Sequence, residues 1–232
     1  MKNLLVALLL ITSLSAASAF SGVRPAVVYW DTDAGKVLRS RISPNADYWQ
    51  LSPNFAVQMT QSYCSVASAI TVLNALPIRK PVDPTYAPYG YFTQSNFFTP
   101  EVSKIIDPQT VLAMGMTREE MVATLTQLGV KATSIAGNTL DDAHLRNLLQ
   151  KVLEDDGQFV LANYLRANLD QVGGGHWSVL AAYDAESDSV LILDVAKYKY
   201  PPAWVRISTL RLAIATIDPT SNKARGLVII SK

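Results

Sequence analysis

The chain has 232 residues, with 20 Lys and Arg against 19 Asp and Glu, and 49% of its residues are hydrophobic. That length and apolar content suit one domain with a sizeable core. No basic stripe or charge block is present, so nucleic acid and anionic surfaces are not indicated as partners.

In chain order, residues 1–19 read as a secretory signal peptide. Lys2 gives the charged start, residues 4–14 the apolar run, and Ala17-Ser18-Ala19 a small-residue cleavage site ahead of Phe20. The run is short for a membrane span, so the expected product is a secreted or periplasmic single domain over 20–232 without stable membrane insertion. Residues 20–57 read as irregular, with one strand near Val27 and Tyr29. A helix is predicted from Tyr63 or Cys64, ending before Pro77. The segment 77–98, interrupted by Pro77, Pro81, Pro84 and Pro88, is a long ordered loop of the kind that usually carries function.

Thr99-Pro100-Glu101 predicts a short helix to about Ile106. Thr117-Arg118-Glu119-Glu120 is a capping box for a helix that Gly129 stops. Thr139-Leu140-Asp141-Asp142 opens another, with Leu145, Leu148, Leu149, Val152 and Leu153 on one face. The segments 158–164, 176–183 and 190–195 then read as strands separated by the turns 173–175 and 184–188. A helix over 208–216 and a strand over 226–231 close the chain. Helices first and antiparallel strands later make an α+β fold.

Cys64 is the only cysteine, so an internal disulfide or a cysteine-based metal cluster is excluded. A lone thiol in an exported chain is either a small buried hydrophobe or a reactive group. At the first turn of a helix it meets the positive end of the helix dipole, which favours thiolate. Cysteine acyl chemistry needs a base, and the chain has two histidines. His144 lies among polar neighbours on a helix and reads as a solvated residue. His176 follows three glycines and starts an apolar strand. Asp194 ends the next apolar strand, where an unpaired carboxylate would be costly. If these strands pair antiparallel, Asp194 lies beside His176 and can orient it as the third member of a triad. Gln58, upstream of the thiol, is a natural oxyanion donor together with the Cys64 backbone N–H. The order Gln, Cys, His, Asp, with thiol on helix and base on sheet, is a papain-like layout.

Three stretches resemble the phytochelatin synthase family, short bacterial type. They are Gln58-Met59-Thr60-Gln61-Ser62-Tyr63-Cys64-Ser65-Val66-Ala67-Ser68, Gly175-His176-Trp177-Ser178, and Asp194-Val195-Ala196-Lys197-Tyr198-Lys199-Tyr200-Pro201-Pro202-Ala203-Trp204-Val205. The resemblance implies a papain-like fold with Cys64 as nucleophile, His176 as base, Asp194 as its partner and Gln58 as oxyanion donor. It also implies glutathione as substrate, cleaved to glycine and a γ-glutamylcysteinyl thioester that goes on to γ-glutamylcysteine or phytochelatin. By the same resemblance Arg166 pairs with a substrate carboxylate, while Asp218 and Arg225 hold the γ-glutamyl amine and carboxylate. The chain as it stands carries no cysteine-rich region after this core. No tightly bound cofactor is expected, and heavy metal would enter as a metal–thiolate form of the substrate. Lys197 replaces an arginine of plant members, and both departures point to hydrolysis with weaker transfer. A homodimer stays open. The competing readings are a papain-like peptidase that trims leader peptides at double-glycine sites and a secreted binding protein with an inert cysteine.

Overall fold

In the computed structural model, which describes residues 25–155 and 157–232, a helical first half leads into a sheet-rich second half. The first half comprises β1 (Val27–Tyr29), α1 (Asp33–Arg39), α2 (Tyr48–Leu51), α3 (Cys64–Ala75), α4 (Pro108–Met114) and α5 (Arg118–Gln127). The second holds β2 (Lys131–Ala136), α6 (Asp142–Val152), β3 (Gln158–Leu165), β4 (Gly175–Asp184) and β5 (Ser189–Leu193). It finishes with β6 (Ala203–Arg206), α7 (Ile207–Ile214), β7 (Ile217–Asp218), β8 (Lys223–Ala224) and β9 (Gly226–Ser231). The signal peptide expected over 1–19 lies outside the described residues. No described helix is long and apolar enough to cross a membrane.

Seven strands form one antiparallel sheet in the order β1-β6-β5-β4-β3-β9-β2, and β7 and β8 form a separate hairpin. The alternation along each strand divides the core into two layers. Phe159, Leu161, Val179, Leu191, Leu193 and Val228 face a cluster that includes α3. Val160, Ala162, Leu180, Val190, Ile192 and Leu227 face α6 and α7. The result is the expected α+β arrangement, with helices on both faces of an antiparallel sheet.

α3 is apolar or small on every side, and each residue from Cys64 to Asn74 is buried. A helix without a polar face belongs in the interior, and α3 packs against β4. Its C-terminal Asn74 exchanges two hydrogen bonds with the Phe92 backbone, at 2.8 and 2.9 Å. This ties the loop 77–98 to the helix. Asp83 orders the same loop by accepting from the Thr85 N–H and the Thr93 hydroxyl. Gln94 carries that order to the segment that leads into α3, accepting from the Met59 N–H and donating to the Val57 carbonyl.

The capping box of α5 is present, with reciprocal bonds between Thr117 and Glu120. The helix expected over 99–106 is only a 3-10 turn at Val102–Lys104. Asp107 precedes Pro108 and is extended (ψ 136°), since proline disfavours the helical conformation in the residue before it. The helix therefore starts at Pro108, capped by Asp107. The leading segment 20–57 is more regular than expected, with α1 and α2 besides β1. β2 and β6 are absent from the sequence reading for different reasons. β2 is a partly exposed edge strand in which only Lys131 and Ile135 are large, and β6 is a four-residue strand directly behind Pro201-Pro202.

Candidate active site

β3 ends at Leu165 opposite Gly175, where β4 begins, and β9 begins at Gly226 opposite Asn163. One end of the sheet therefore gathers Arg166 just after β3, His176 at the start of β4 and Arg225 just before β9. β5 pairs antiparallel with β4 through a register that shifts between Leu180 and Ala182. It delivers Asp194, one residue past its end, to His176. The His176 Nε2 lies 2.8 Å from Asp194 Oδ1, and both side chains are buried. The hairpin juxtaposition expected from the sequence is present.

With Nε2 on Asp194, the other ring nitrogen is left for the thiol. His176 and Cys64 lie close enough to shift each other's titration, and the sulfur's own long contact is to the Ser62 carbonyl at 4.0 Å. Cys64 is the first residue of α3, and Tyr63 before it supplies no side-chain cap. The first N–H groups of a helix have no partners within it, which leaves that of Ser65 to the Cys64 sulfur. Burial opposes a Cys64 thiolate, but His176 and the backbone N–H groups of Trp177 and Ser65 outweigh it and hold the thiol below its ordinary pKa. Burial likewise opposes charge on His176, yet Cys64 and Asp194 raise its pKa above the usual imidazole range. The two shifts together favour a thiolate–imidazolium pair. Cys64 is 6% exposed, and His176 and Gln58, rather than the sulfur, form the neighbouring cavity wall.

The Asp194 carboxylate is held by more than the histidine. Arg166 Nη1 and Nη2 donate to its two oxygens at 2.8 and 2.9 Å, a bidentate pair of the strong kind. The Ala196 N–H adds a third donor at 2.9 Å. Burial would raise the Asp194 pKa, but His176 and Arg166 reverse this and keep the carboxyl well below the usual range. The Arg166 fork expected on a substrate carboxylate is thus taken up by Asp194. Gln171 accepts from Arg166 Nη1, and the Tyr200 ring lies beneath the guanidinium, 5.1 Å from Cζ to centroid. Tyr200 also stacks on Tyr29 and accepts from the Val172 N–H. This explains the Tyr-Pro-Pro-x-Trp stretch, for which the triad alone gives no reason. Tyr200 supports the arginine, the Pro202 carbonyl accepts from the Trp30 N–H, and Trp204 is buried in the core.

Gln58 is 5% exposed, and its backbone N–H donates to the Val195 carbonyl. Its side-chain Nε2 donates to the Thr60 carbonyl and the Tyr198 hydroxyl, both at 2.8 Å. Both amide hydrogens are therefore engaged in this state. Tyr198 was not singled out by sequence. Its only signal was its position four residues after Asp194, in the loop that borders the triad.

Two cavities flank His176. One, of about 180 Å³, is bounded by Asn163, Gly175, His176, Asp218 and Arg225. Arg225 Nη1 donates to Asn163 Oδ1 at 2.8 Å and lies 3.7 Å from Asp218 Oδ2, so both expected substrate-binding residues meet here. Burial lowers the Arg225 pKa against the opposing pull of Asp218 and Cys64. The other cavity, of about 260 Å³, lies between Gln58, Gln61, Gly173, Tyr198 and Lys199. His144 is far more exposed and faces Asp141, the residue that caps its own helix. No cluster of three or more His, Cys, Asp or Glu suited to a metal occurs among the described residues.

A thiol at an uncapped helix start, a hydrogen-bonded imidazole and a carboxylate behind it form the arrangement used for nucleophilic acyl transfer. The family model described as phytochelatin synthase matches residues 22–227, and the chain belongs to that family. It is 31% identical over 185 residues to glutathione gamma-glutamylcysteinyltransferase 1 of Arabidopsis thaliana, covering 80% of this chain and 37% of that protein. Glutathione gamma-glutamylcysteinyltransferase 3 of Lotus japonicus is 32% identical over 185 residues, covering 80% and 37%. The Schizosaccharomyces pombe glutathione gamma-glutamylcysteinyltransferase is 22% identical over 184 residues, covering 79% and 43%. The chain spans about two fifths of the length of these curated relatives.

Proposed function

We propose that this chain is an exported, papain-like thiol enzyme that removes glycine from glutathione. Cys64 thiolate attacks the carbonyl carbon between the cysteine and glycine of the substrate. The oxyanion is held by the Cys64 backbone N–H and a Gln58 amide N–H. Imidazolium His176 gives its proton to the glycine nitrogen, the C–N bond breaks, and glycine leaves a γ-glutamylcysteinyl thioester on Cys64. A water molecule, deprotonated by His176, then attacks the thioester carbonyl. The C–S bond breaks, γ-glutamylcysteine departs and the thiolate returns. When the amine of a second glutathione replaces water, the product is a phytochelatin.

The observation that carries this reading is the line Cys64–His176–Asp194, with the thiol pKa lowered and the imidazole pKa raised. The names of the curated relatives supply the substrate class. The Asp218/Arg225 cavity supports it, because a carboxylate beside a guanidinium complements the amine and carboxylate of a γ-glutamyl end. Two small cavities suit a tripeptide better than the extended groove a leader peptidase needs. Heavy metal would act through metal–thiolate forms of glutathione, and the leader-like residues 1–19 support a secreted or periplasmic site of action.

The test is to incubate the purified mature protein with glutathione, with and without cadmium, and resolve products by mass. Glycine and γ-glutamylcysteine are expected, with phytochelatin in smaller amount. Cys64→Ser should abolish glycine release, and His144→Ala should leave it intact. Iodoacetamide failing to label Cys64 near neutral pH, together with no product, would favour the binding-protein alternative.

A further inference from the structure

The loop 77–98 is long and ordered, and the triad alone gives no reason for it. It borders a cavity of about 310 Å³ bounded by Met59, Asp83, Tyr86, Tyr91, Phe92 and Gln94. This cavity shares no wall residue with the two beside His176.

Asp83 is the one charged side chain in its wall, and it is only 5% exposed. Its carboxylate accepts from the Thr85 N–H at 2.9 Å and the Thr93 hydroxyl at 2.7 Å, with a longer bond from Asn96 at 3.4 Å. All three donors are neutral. The bonds from Thr93 and Thr85 hold the carboxyl below its ordinary pKa, and no cation contributes to that shift. No Lys, Arg or His lines the cavity. A shielded carboxylate without a counter-charge is a vacancy for a cation. The rest of the wall says which kind. Tyr86 and Tyr91 meet edge to face with centroids 5.6 Å apart, and an adjoining hollow shares both and adds Tyr89. Aromatic faces attract organic ammonium groups. Calcium takes about six to eight oxygen ligands, which a wall of rings does not offer.

We propose that this cavity binds a small alkylammonium ion, with Asp83 as its counter-charge and Tyr86 and Tyr91 as its aromatic walls. The site is separate from the Cys64 line, and it stands or falls independently of the glutathione reading.

The test is an NMR titration of the 15N-labelled mature protein with tetramethylammonium and methylammonium chlorides. Sodium chloride at the same ionic strength and neutral tert-butanol are the controls. Both ammonium ions are expected to shift amides within 82–95 saturably, with a dissociation constant on the order of 1 to 10 mM. Neither control should do so, and Cys64→Ser should bind as wild type does. Asp83→Asn should weaken binding about tenfold. Tyr86→Leu should weaken it about threefold, while Tyr86→Phe keeps it, since the ring and not the hydroxyl makes the contact. Asp83 orders its own loop, so the amide spectrum checks folding, and the exposed Tyr86 carries the test if Asp83→Asn disturbs the loop. An equal response to sodium or tert-butanol would overturn the inference. So would saturation confined to amides outside 82–95, no saturation below about 100 mM, or unchanged affinity in Tyr86→Leu.

Discussion

Gln58 has two amide hydrogens, and the unliganded site uses both, one on the Thr60 carbonyl and one on the Tyr198 hydroxyl. An oxyanion can be served only when one of those bonds is given up. The bond to Tyr198 is the one to yield, since that ring is 62% exposed and the Thr60 carbonyl belongs to the backbone. Tyr198→Phe is therefore expected to leave kcat unchanged or raise it, by no more than about tenfold, the worth of one neutral hydrogen bond. Gln58→Ala should lower kcat by about 10² to 10³. Steady-state glycine release measures both, and a hundredfold fall in Tyr198→Phe would mean that the phenol itself donates to the oxyanion. Cys64, His176 and Asp194 were legible in the sequence because each sits where regular structure forces it, at a helix start, a strand start and a strand end. The partner of Arg166 was not. It lies in a 3-10 turn after β3 and meets Asp194 in a loop after β5, and neither irregular segment has a period from which side-chain direction can be read.

At the scale of elements, β4 carries the base on one side of Gly175 and the glycine turn on the other. A Cβ on Gly175 would fall 2.2 Å from Arg225 Nη1. The guanidinium is buried and bonded to Asn163, so it cannot swing aside without losing that contact. Gly175→Ala is expected to raise KM for glutathione about tenfold, the equivalent of one charge-assisted hydrogen bond, with a smaller change in kcat. A kcat collapse at constant KM would show that the substitution disturbs His176 instead. The long helices and apolar strands were readable from their periodicity. β6 was not, because Pro201-Pro202 hides a strand whose evidence is its pairing with β1 and β5. The helix over 99–106 was misread because Thr-Pro-Glu is a good start signal, while Asp107-Pro108 downstream is a stronger one.

For the whole molecule, protonation links catalysis to stability. The lowered Cys64 pKa and the raised His176 pKa both favour the thiolate–imidazolium pair. Glycine release should therefore pass through an optimum in pH, lost on the acid side as the thiolate is protonated and on the alkaline side as the imidazolium is deprotonated. Asp194 acts at the acid end. Its folded pKa lies below that of the unfolded chain, so its contribution to stability is complete above about pH 4. That contribution is lost as pH falls toward the folded value. Arg166→Leu removes the guanidinium that lowers this pKa, and should move the acid-unfolding midpoint up by about one pH unit. Circular dichroism against pH checks it, and an unmoved midpoint would mean that His176 alone holds the carboxylate.

Tyr29, on the first strand, stacks beneath Tyr200, which in turn supports the arginine behind Asp194. Among the described residues β1 pairs only with β6, some 175 residues later in the chain. Closing so long a loop comes late in folding. Until that pairing closes, the ring platform beneath the guanidinium is incomplete, so a chain cut short before β6 is expected to carry an inert sulfur.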